Sequence, residues 1–214
     1  MKNNCFTKGL NFYKLFWIFV IGCLFGSIYE MLLEFIKSGT WQNRSALIYG
    51  PFNLVYGLGA VLFMISLYRV RNLWVVFILG TFLGGFFEYM ISWLQEIIFH
   101  TTSWDYSNHF LNFDGRTSLF VAIGWGILSV VFIKWIAPFF DRWIDRIPRR
   151  PGLLITWFVL LFFVFNITVT TLAVWRETNR SDGIEAHNDL ERFLDEHFPD
   201  SRLEKIFPNK KEKD

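Results

Sequence analysis

The chain has 214 residues, of which 53% are hydrophobic, and it contains 26 Phe and 10 Trp residues. A soluble domain of this size has too little interior to bury so much apolar surface, so the composition indicates an integral membrane protein. The net charge is only +2, and the aromatic residues lie in apolar runs, which argues against nucleic acid as a partner. The two cysteines form neither a disulfide framework nor a metal-binding pattern, and we expect no metal and no cofactor.

Stretches with few or no charged residues predict five transmembrane helices, since about 20 apolar residues in a helix cross a bilayer core roughly 30 Å thick. The predicted helices cover residues 12–36, 52–69, 73–99, 117–137 and 152–175. We therefore expect an all-α polytopic fold. Gly50-Pro51 interrupts helical geometry just before the second helix. A re-entrant second segment, which would leave four spans, is the alternative.

Basic residues are unequally distributed between the two predicted sides of the membrane. With the N-terminus inside, the inner side holds Lys2, Lys8, Lys14, Arg69, Arg71, Arg142, Arg146, Arg149 and Arg150. The short outer loops hold Lys37, Arg44 and Arg116. Because Lys and Arg concentrate in cytoplasmic loops, we expect a multi-pass protein with its N-terminus in the cytoplasm and its C-terminus outside. A lipoprotein cleavage box at residues 20–23 is a weaker alternative, because the apolar run continues beyond it.

The first and third predicted helices carry similar rows of small and acidic residues at steps of four. The rows are Gly22, Gly26, Glu30, Glu34, Ser38 and Gly80, Gly84, Glu88, Ser92, Glu96. Small residues let membrane helices approach closely, so the four glycines are predicted to be helix-packing positions. The rows predict two parallel pseudo-repeat hairpins followed by a fifth helix. Chance recurrence of Gly and Glu is the alternative.

Glu30 and Glu88 lie inside predicted spans, about 25 Å from the inner ends of their helices. A charged side chain at such a depth is costly unless it finds a partner. Arg44 and Arg116 follow in the next outer loops and are the expected partners. The resulting polar cluster either ties each hairpin closed or lines a water-accessible cavity for a solute or a proton.

Other polar residues of the outer side have simpler interpretations. Glu34 and Glu96 lie nearer the surface, and we expect them to be solvated. Asp105, Tyr106 and Ser107 predict a capping turn, and Asp105 is included in the predicted polar cluster. The sequence contains no phosphate-binding P-loop and no recognisable nucleophile–base spacing. We therefore expect no enzyme, no catalytic residues and no ATPase activity in the chain itself.

Two segments flank the fifth predicted helix. Residues 138–150 predict an amphipathic helix at the inner surface, with Phe139, Trp143 and Ile147 on its apolar face. This helix either lies on lipid or docks a cytoplasmic partner. Residues 176–214 predict a polar, partly helical tail, which either packs on the outer loops or binds a partner.

Several short motifs also occur in a characteristic order. They are Gly26-Ser-Ile-Tyr-Glu30, Asn43-Arg44, Tyr49-Gly50-Pro51-Phe52, Tyr56-Gly57, Glu88-Tyr89, Ser92-Trp93, Glu96, Trp104-Asp105-Tyr106-Ser107, Asn112 and Gly115-Arg116. Over residues 15–140 the chain resembles the Putative ABC-transporter type IV family (CmpB-like bacterial membrane proteins), with the fifth helix and the tail outside the resemblance.

The resemblance implies a permease-type transporter subunit of the bacterial inner membrane, without a defined substrate. The expected partners are the lipid bilayer, a separate ATP-binding subunit and a second copy of the chain. The alternative function is that of a non-transporting scaffold or regulator of envelope processes.

Overall fold

The computed structural model describes residues 9–212 and confirms the all-α class. Lys2 and Lys8 lie outside the described residues. The membrane-embedded helices are α1 (Phe12–Ser38), α2 (Leu54–Leu67), α3 (Leu73–Phe99), α4 (Leu119–Val131) and α6 (Arg149–Ser181). α4 continues through a π-helical turn (Phe132–Ile136) into α5 (Ala137–Ile144).

The remaining elements are short and lie in the loops and the tail. Two tail helices, α7 (Asp189–His197) and α8 (Asp200–Ile206), follow α6. Antiparallel β2 (Asn112–Phe113) and β3 (Thr117–Ser118) pair within the loop before α4. β1 (Thr101–Thr102) pairs antiparallel with β4 (Lys211–Glu212) at the end of the described chain, with Thr101 opposite Glu212. The second pairing joins the tail to the loop that follows α3.

Within residues 9–212, four helical stretches are long and apolar enough to cross a bilayer, namely Phe12–Ser38, Leu73–Phe99, Leu119–Ile144 and Arg149–Ser181. The chain is therefore a polytopic membrane protein. The helix α2 has only 14 residues, a length of about 21 Å at 1.5 Å per residue. It is shorter than the predicted 52–69 because the Asn53 side chain caps its start by accepting from the Val55 N–H.

The extended segment before α2 lies among the helices. The N–H of Asn53 donates to the carbonyl of Cys23, near the middle of α1, at 2.9 Å. The Asn166 side chain on α6 accepts from the Tyr49 N–H at 3.1 Å and donates to the Tyr49 carbonyl at 2.7 Å. Non-helical backbone at membrane depth requires such protein partners. The segment therefore covers the part of α1 that the short α2 does not reach.

The hairpins α1–α2 and α3–α4 pack through equivalent contacts. A Cβ atom added to Gly26 would lie 2.2 Å from the Tyr56 Cβ, and one added to Gly84 would lie 2.2 Å from the Trp125 Cβ. One turn earlier, a Cβ on Gly22 would lie 3.0 Å from the Cα of Gly57. On Gly80, the corresponding Cβ would lie 2.0 Å from the Ser129 Oγ.

Tyr56 and Trp125 thus occupy the same place in the two hairpins. Each is followed directly by a glycine, Gly57 or Gly126, that also lies at its helix contact. The two hairpins therefore share equivalent helix contacts at the glycines of the two rows.

The predicted inner amphipathic helix is not a separate element. It forms the end of the continuous helix Leu119–Ile144, because the π-helical turn carries the hydrogen-bonded backbone through to α5. Phe139 and Trp143 are exposed, whereas Ile147 packs against the core cluster. Ile147 is therefore a packing residue and not part of an outward face.

The acidic side of α5 faces α1. The Lys14 ammonium, on a residue that is 3% exposed, lies 2.5 Å from an oxygen of Asp141 and 3.1 Å from an oxygen of Asp145. The hydroxyl of Tyr68, just after α2, donates to Asp141 at 3.3 Å. This network joins three helices at the inner end of the hairpins.

The tail folds back on the end of α6. Leu194, Phe198 and Leu203 form a buried cluster with Ala173. The buried Arg176 guanidinium donates to both carboxylate oxygens of Asp195, each at 2.9 Å. The tail therefore packs on the rest of the chain through an apolar cluster and an ionic contact.

Candidate functional site

A cavity of about 490 Å³ lies between the two hairpins, α6 and the tail. This volume is in the range of small-molecule binding sites. Apolar side chains form much of its wall, among them Leu54, Ile91, Leu94, Ile167 and Val174. Glu30 and Glu88, the equivalent acids of the two repeats, both line it. The structure thus brings these two predicted residues to one cavity.

Glu30 extends from α1 towards the start of α2. The Tyr56 hydroxyl donates to an oxygen of the Glu30 carboxylate at 2.5 Å. The Tyr56 side chain packs directly over Gly26, one turn before Glu30 on the same helix, and this contact places its hydroxyl. Packing at Gly26 therefore brings the Tyr56 hydroxyl to the Glu30 carboxylate.

Glu88 extends from α3 and is 6% exposed. The Tyr106 hydroxyl donates to one carboxylate oxygen at 3.1 Å, and the Thr117 hydroxyl donates to the other at 3.0 Å. Both donors come from the loop between α3 and α4. Burial raises the pKa of the Tyr106 phenol, so this loop residue keeps the proton that it donates.

Trp125 contacts a residue beside each acid, namely Tyr56, which donates to Glu30, and Phe87, which precedes Glu88. Its ring centroid is 5.9 Å from that of Tyr56 and 6.2 Å from that of Phe87. The residue is 8% exposed and lines the cavity. Gly59 on α2 makes room for the indole, because a Cβ there would lie 3.2 Å from a ring carbon of Trp125. The second hairpin thus provides an aromatic wall against the first.

The prediction that Arg44 and Arg116 pair with Glu30 and Glu88 is wrong. Arg44 forms its ion pair with Glu34, and the Arg116 Nη1 lies 2.5 Å from a Glu96 oxygen. Glu34 and Glu96 are therefore bound, not merely solvated as predicted. The Glu96 carboxylate raises the pKa of the Arg116 guanidinium. These two ion pairs join the outer loops to α1 and α3. They lie nearer the outer ends of the helices than Glu30 and Glu88 do.

Two of the predicted cluster residues do not reach the cavity. Arg116 and Asp105 are absent from the described residues that line it, whereas Arg44 is present. Asp105 accepts from the N–H and the hydroxyl of Ser107 at 2.9 and 2.6 Å, the pattern of a capping turn. Tyr106, between them in sequence, points inward to Glu88.

The tail contributes the remaining wall. Phe207, Pro208, Asn209 and Lys210 line the cavity after α8. The Lys210 ammonium forms an ion pair with Glu177, which is 8% exposed on α6. The cavity is therefore bounded on this side by a segment that follows the last transmembrane helix.

Four residues of the site were not among the predicted site residues, namely Tyr56, Tyr106, Thr117 and Trp125. Tyr56 and Tyr106 occur in the motifs of the family resemblance, and Tyr106 was assigned only to a capping turn. The paired motifs Tyr56-Gly57 and Trp125-Gly126 carry a usable signal, because each places an aromatic residue beside a helix-contact glycine. The motif around Tyr106 does not indicate contact with Glu88, and no motif includes Thr117. Both residues reach Glu88 through the path of a loop. Residues 9–212 contain no group of three or more His, Cys, Asp or Glu residues that could hold a metal ion.

Fold and cavity define a polytopic helical membrane protein with an internal repeat and a solute-sized cavity beside two acids. The chain belongs to the family described as Putative ABC-transporter type IV, whose members it matches over residues 17–171. This match extends past residue 140 and includes most of α6, so residues 152–171 of the fifth predicted helix also lie within the family region. Comparisons with curated proteins and with solved structures gave no match.

Proposed function

We propose that the protein is the permease-type subunit of a transporter and that the cavity between the two hairpins binds the solute. The supporting observation is that Glu30 and Glu88, equivalent residues of the two repeats, line one cavity. A carboxylate inside a membrane protein costs stability, and such residues commonly mark a substrate or ion pathway. Parallel repeats related by an axis along the membrane normal are an architecture of transporters.

Energy would come from a separate ATP-binding subunit, since the sequence contains no P-loop. Phe139 and Trp143 at the inner end of the helix Leu119–Ile144 are 46% and 57% exposed. They are the proposed contact for that subunit. The proposed location is the bacterial inner membrane, with the N-terminus cytoplasmic and the C-terminus outside.

Purification in mild detergent from the native host, followed by quantitative mass spectrometry, tests this function. We expect an ATP-binding subunit at a stoichiometric level. The double variant Phe139→Ala, Trp143→Ala should lose it. The control Phe158→Ala removes an exposed aromatic ring of α6, 75% exposed, away from the proposed contact and should retain it. Reproducible absence of an ATP-binding subunit from the wild-type preparation contradicts the proposal.

The alternative is a scaffold or regulator of envelope processes. One observation favours it: Ile184, Leu190 and Phe193 in the tail are 43%, 55% and 50% exposed, outside the transmembrane helices. Deleting residues 182–214 separates the two functions. A permease should still copurify with its ATP-binding subunit after the deletion, whereas a regulator that acts through the tail should lose its envelope partner.

A further inference from the structure

We propose that the cavity binds an organic ammonium ion, a positively charged group with small apolar substituents. This proposal deepens the proposed function, on which it rests, by naming the class of solute. It is argued from the unpaired charge in the cavity, the aromatic side chains of its wall and its size.

The charges that line the cavity do not balance. Among the described residues that line it, the two cations already form ion pairs, Arg44 with Glu34 and Lys210 with Glu177. Within residues 9–212, neither Glu30 nor Glu88 forms an ion pair. The donors that they meet are neutral: the hydroxyl of Tyr56 at Glu30, and the hydroxyls of Tyr106 and Thr117 and the indole of Trp125 at Glu88. Both oxygens of Glu88 accept hydrogen bonds, and among the described residues a cation faces neither of them. A cationic ligand would supply the missing partner.

The wall is rich in aromatic rings. Tyr56, Phe99, Trp104, Tyr106, Trp125 and Phe207 all line the cavity. Aromatic faces attract ammonium groups through the ring quadrupole, and groups of such rings recognise quaternary and substituted ammonium ligands. Tyr56 and Tyr106 each hold one of the two acids, so the aromatic and anionic parts of the site are directly connected.

Size and polarity distinguish an organic cation from a bare metal ion. A volume of about 490 Å³ far exceeds what one ion needs, and the leucine and isoleucine side chains of the wall supply no ligand atoms. Calcium takes six to eight oxygen ligands and magnesium retains several waters. An ammonium ion with alkyl or aryl substituents uses both the carboxylates and the apolar wall.

The test uses the full chain, purified in detergent, with choline and phenethylamine as probes. Choline is compared with 3,3-dimethylbutan-1-ol, which has nearly the same shape and no charge. Binding is followed by tryptophan fluorescence and by the shift in melting temperature, at constant ionic strength. We expect saturable binding of at least one ammonium probe and at least about tenfold weaker binding of the alcohol than of choline.

Variants locate the site. Glu30→Gln and Glu88→Gln should each weaken binding at least about tenfold. The matched control Glu196→Gln makes the same change at an exposed position of α7 and should leave binding unchanged. If a cavity variant does not fold, the comparison of choline with the alcohol on the wild-type protein still decides the question.

Three outcomes overturn the proposal. They are equal binding of choline and the alcohol, unchanged binding in both cavity variants, and no saturable binding of either ammonium probe up to about 10 mM. Each concerns only the ligand class, since copurification of an ATP-binding subunit is measured separately. Conversely, ammonium binding without any ATP-binding subunit would retain the ligand and reject the permease assignment.

Discussion

Gly84 on α3 lies directly against Trp125 on α4, so closely that a Cβ atom at position 84 would lie 2.2 Å from the Trp125 Cβ. The contact brings α3 and α4 together beside the cavity. Gly26 and Tyr56 repeat it in the first hairpin. Since packing and not the hydrophobic effect holds membrane helices together, these contacts are expected to govern the stability of both hairpins.

Replacing Gly84 with alanine should therefore destabilise the protein by about 1–3 kcal/mol, because the new methyl group displaces Trp125. Thermal unfolding in detergent measures the effect. Gly124→Ala is the control on the neighbouring helix, where no atom lies within 4 Å of the added Cβ. It should be neutral or slightly stabilising. Equal melting temperatures for the two variants would contradict the packing argument.

Glu96 and Arg116, which form an outer ion pair, should be coupled in their effects on the free energy of unfolding. In a double-mutant cycle with Glu96→Gln and Arg116→Gln, we expect a coupling free energy of unfolding of about 0.5–1 kcal/mol, because the pair is only partly exposed. The cycle with Glu88→Gln and Arg116→Gln should show coupling within about 0.5 kcal/mol of zero. A larger coupling of Arg116 to Glu88 than to Glu96 would instead support the pairing first expected from the sequence.

The contact of the tail with α6 should depend on pH. Hydrogen bonds from Arg176, and further contacts with Arg180, hold the pKa of Asp195 below its ordinary value of 3.8. A depressed folded-state pKa stabilises the docked tail above pH 3.8 and loses this contribution as pH falls below it. A spin label at Ser201, on α8, should therefore gain mobility between about pH 4 and pH 2.

Asp195→Asn should release the tail at neutral pH as well. The matched control is Asp189→Asn on the same helix, whose carboxylate is 99% exposed in its pair with Arg192. Such an exposed pair contributes little, and the label should keep its wild-type mobility. A label that is equally immobile in Asp195→Asn and in the wild type would show that the ionic contact does not hold the tail.

The tail should also shield the cavity. Residues 207–210 of the tail line the cavity, and the pairing of β4 with β1 joins the tail to the loop after α3. A cysteine at position 91, which lines the cavity from α3, should react with a hydrophilic thiol reagent several-fold faster after deletion of residues 182–214. The measurement uses detergent-purified protein in which Cys5 is replaced by serine. Cys23 is retained because it is buried.

A control cysteine at the exposed Asn108 should react at the same rate in both forms. Equal rates at position 91 in both forms would mean that the tail does not restrict access to the cavity.

Reporter fusions test the proposed topology. Fusions after residues 37–40 and within 105–114 should report the outer side, and fusions after residues 69–72 and 146–150 the inner side. The reason is the concentration of Lys and Arg in the latter loops. If α2 does not cross, the loops that follow it report the opposite sides, and the C-terminus is then cytoplasmic.

The sequence by itself determined the membrane class, the all-α fold, the family and the repeated hairpins. These follow from properties that are local along the chain: apolar length, and glycines and acids that recur at helical spacing. The same rows placed Glu30 and Glu88 at equivalent depths. Their common cavity required the tertiary structure, because periodicity does not specify which helix face meets which neighbour.

Other features were decided only by the tertiary structure. Arg44 and Arg116 lie on irregular loops, so their partners depend on loop paths and not on separation in sequence. Tyr106 and Thr117 reach Glu88 for the same reason. Lys210 pairs with Glu177, a contact that exists because the buried cluster of Leu194, Phe198 and Leu203 turns the tail back onto α6. The closure of the cavity is therefore a consequence of long-range packing.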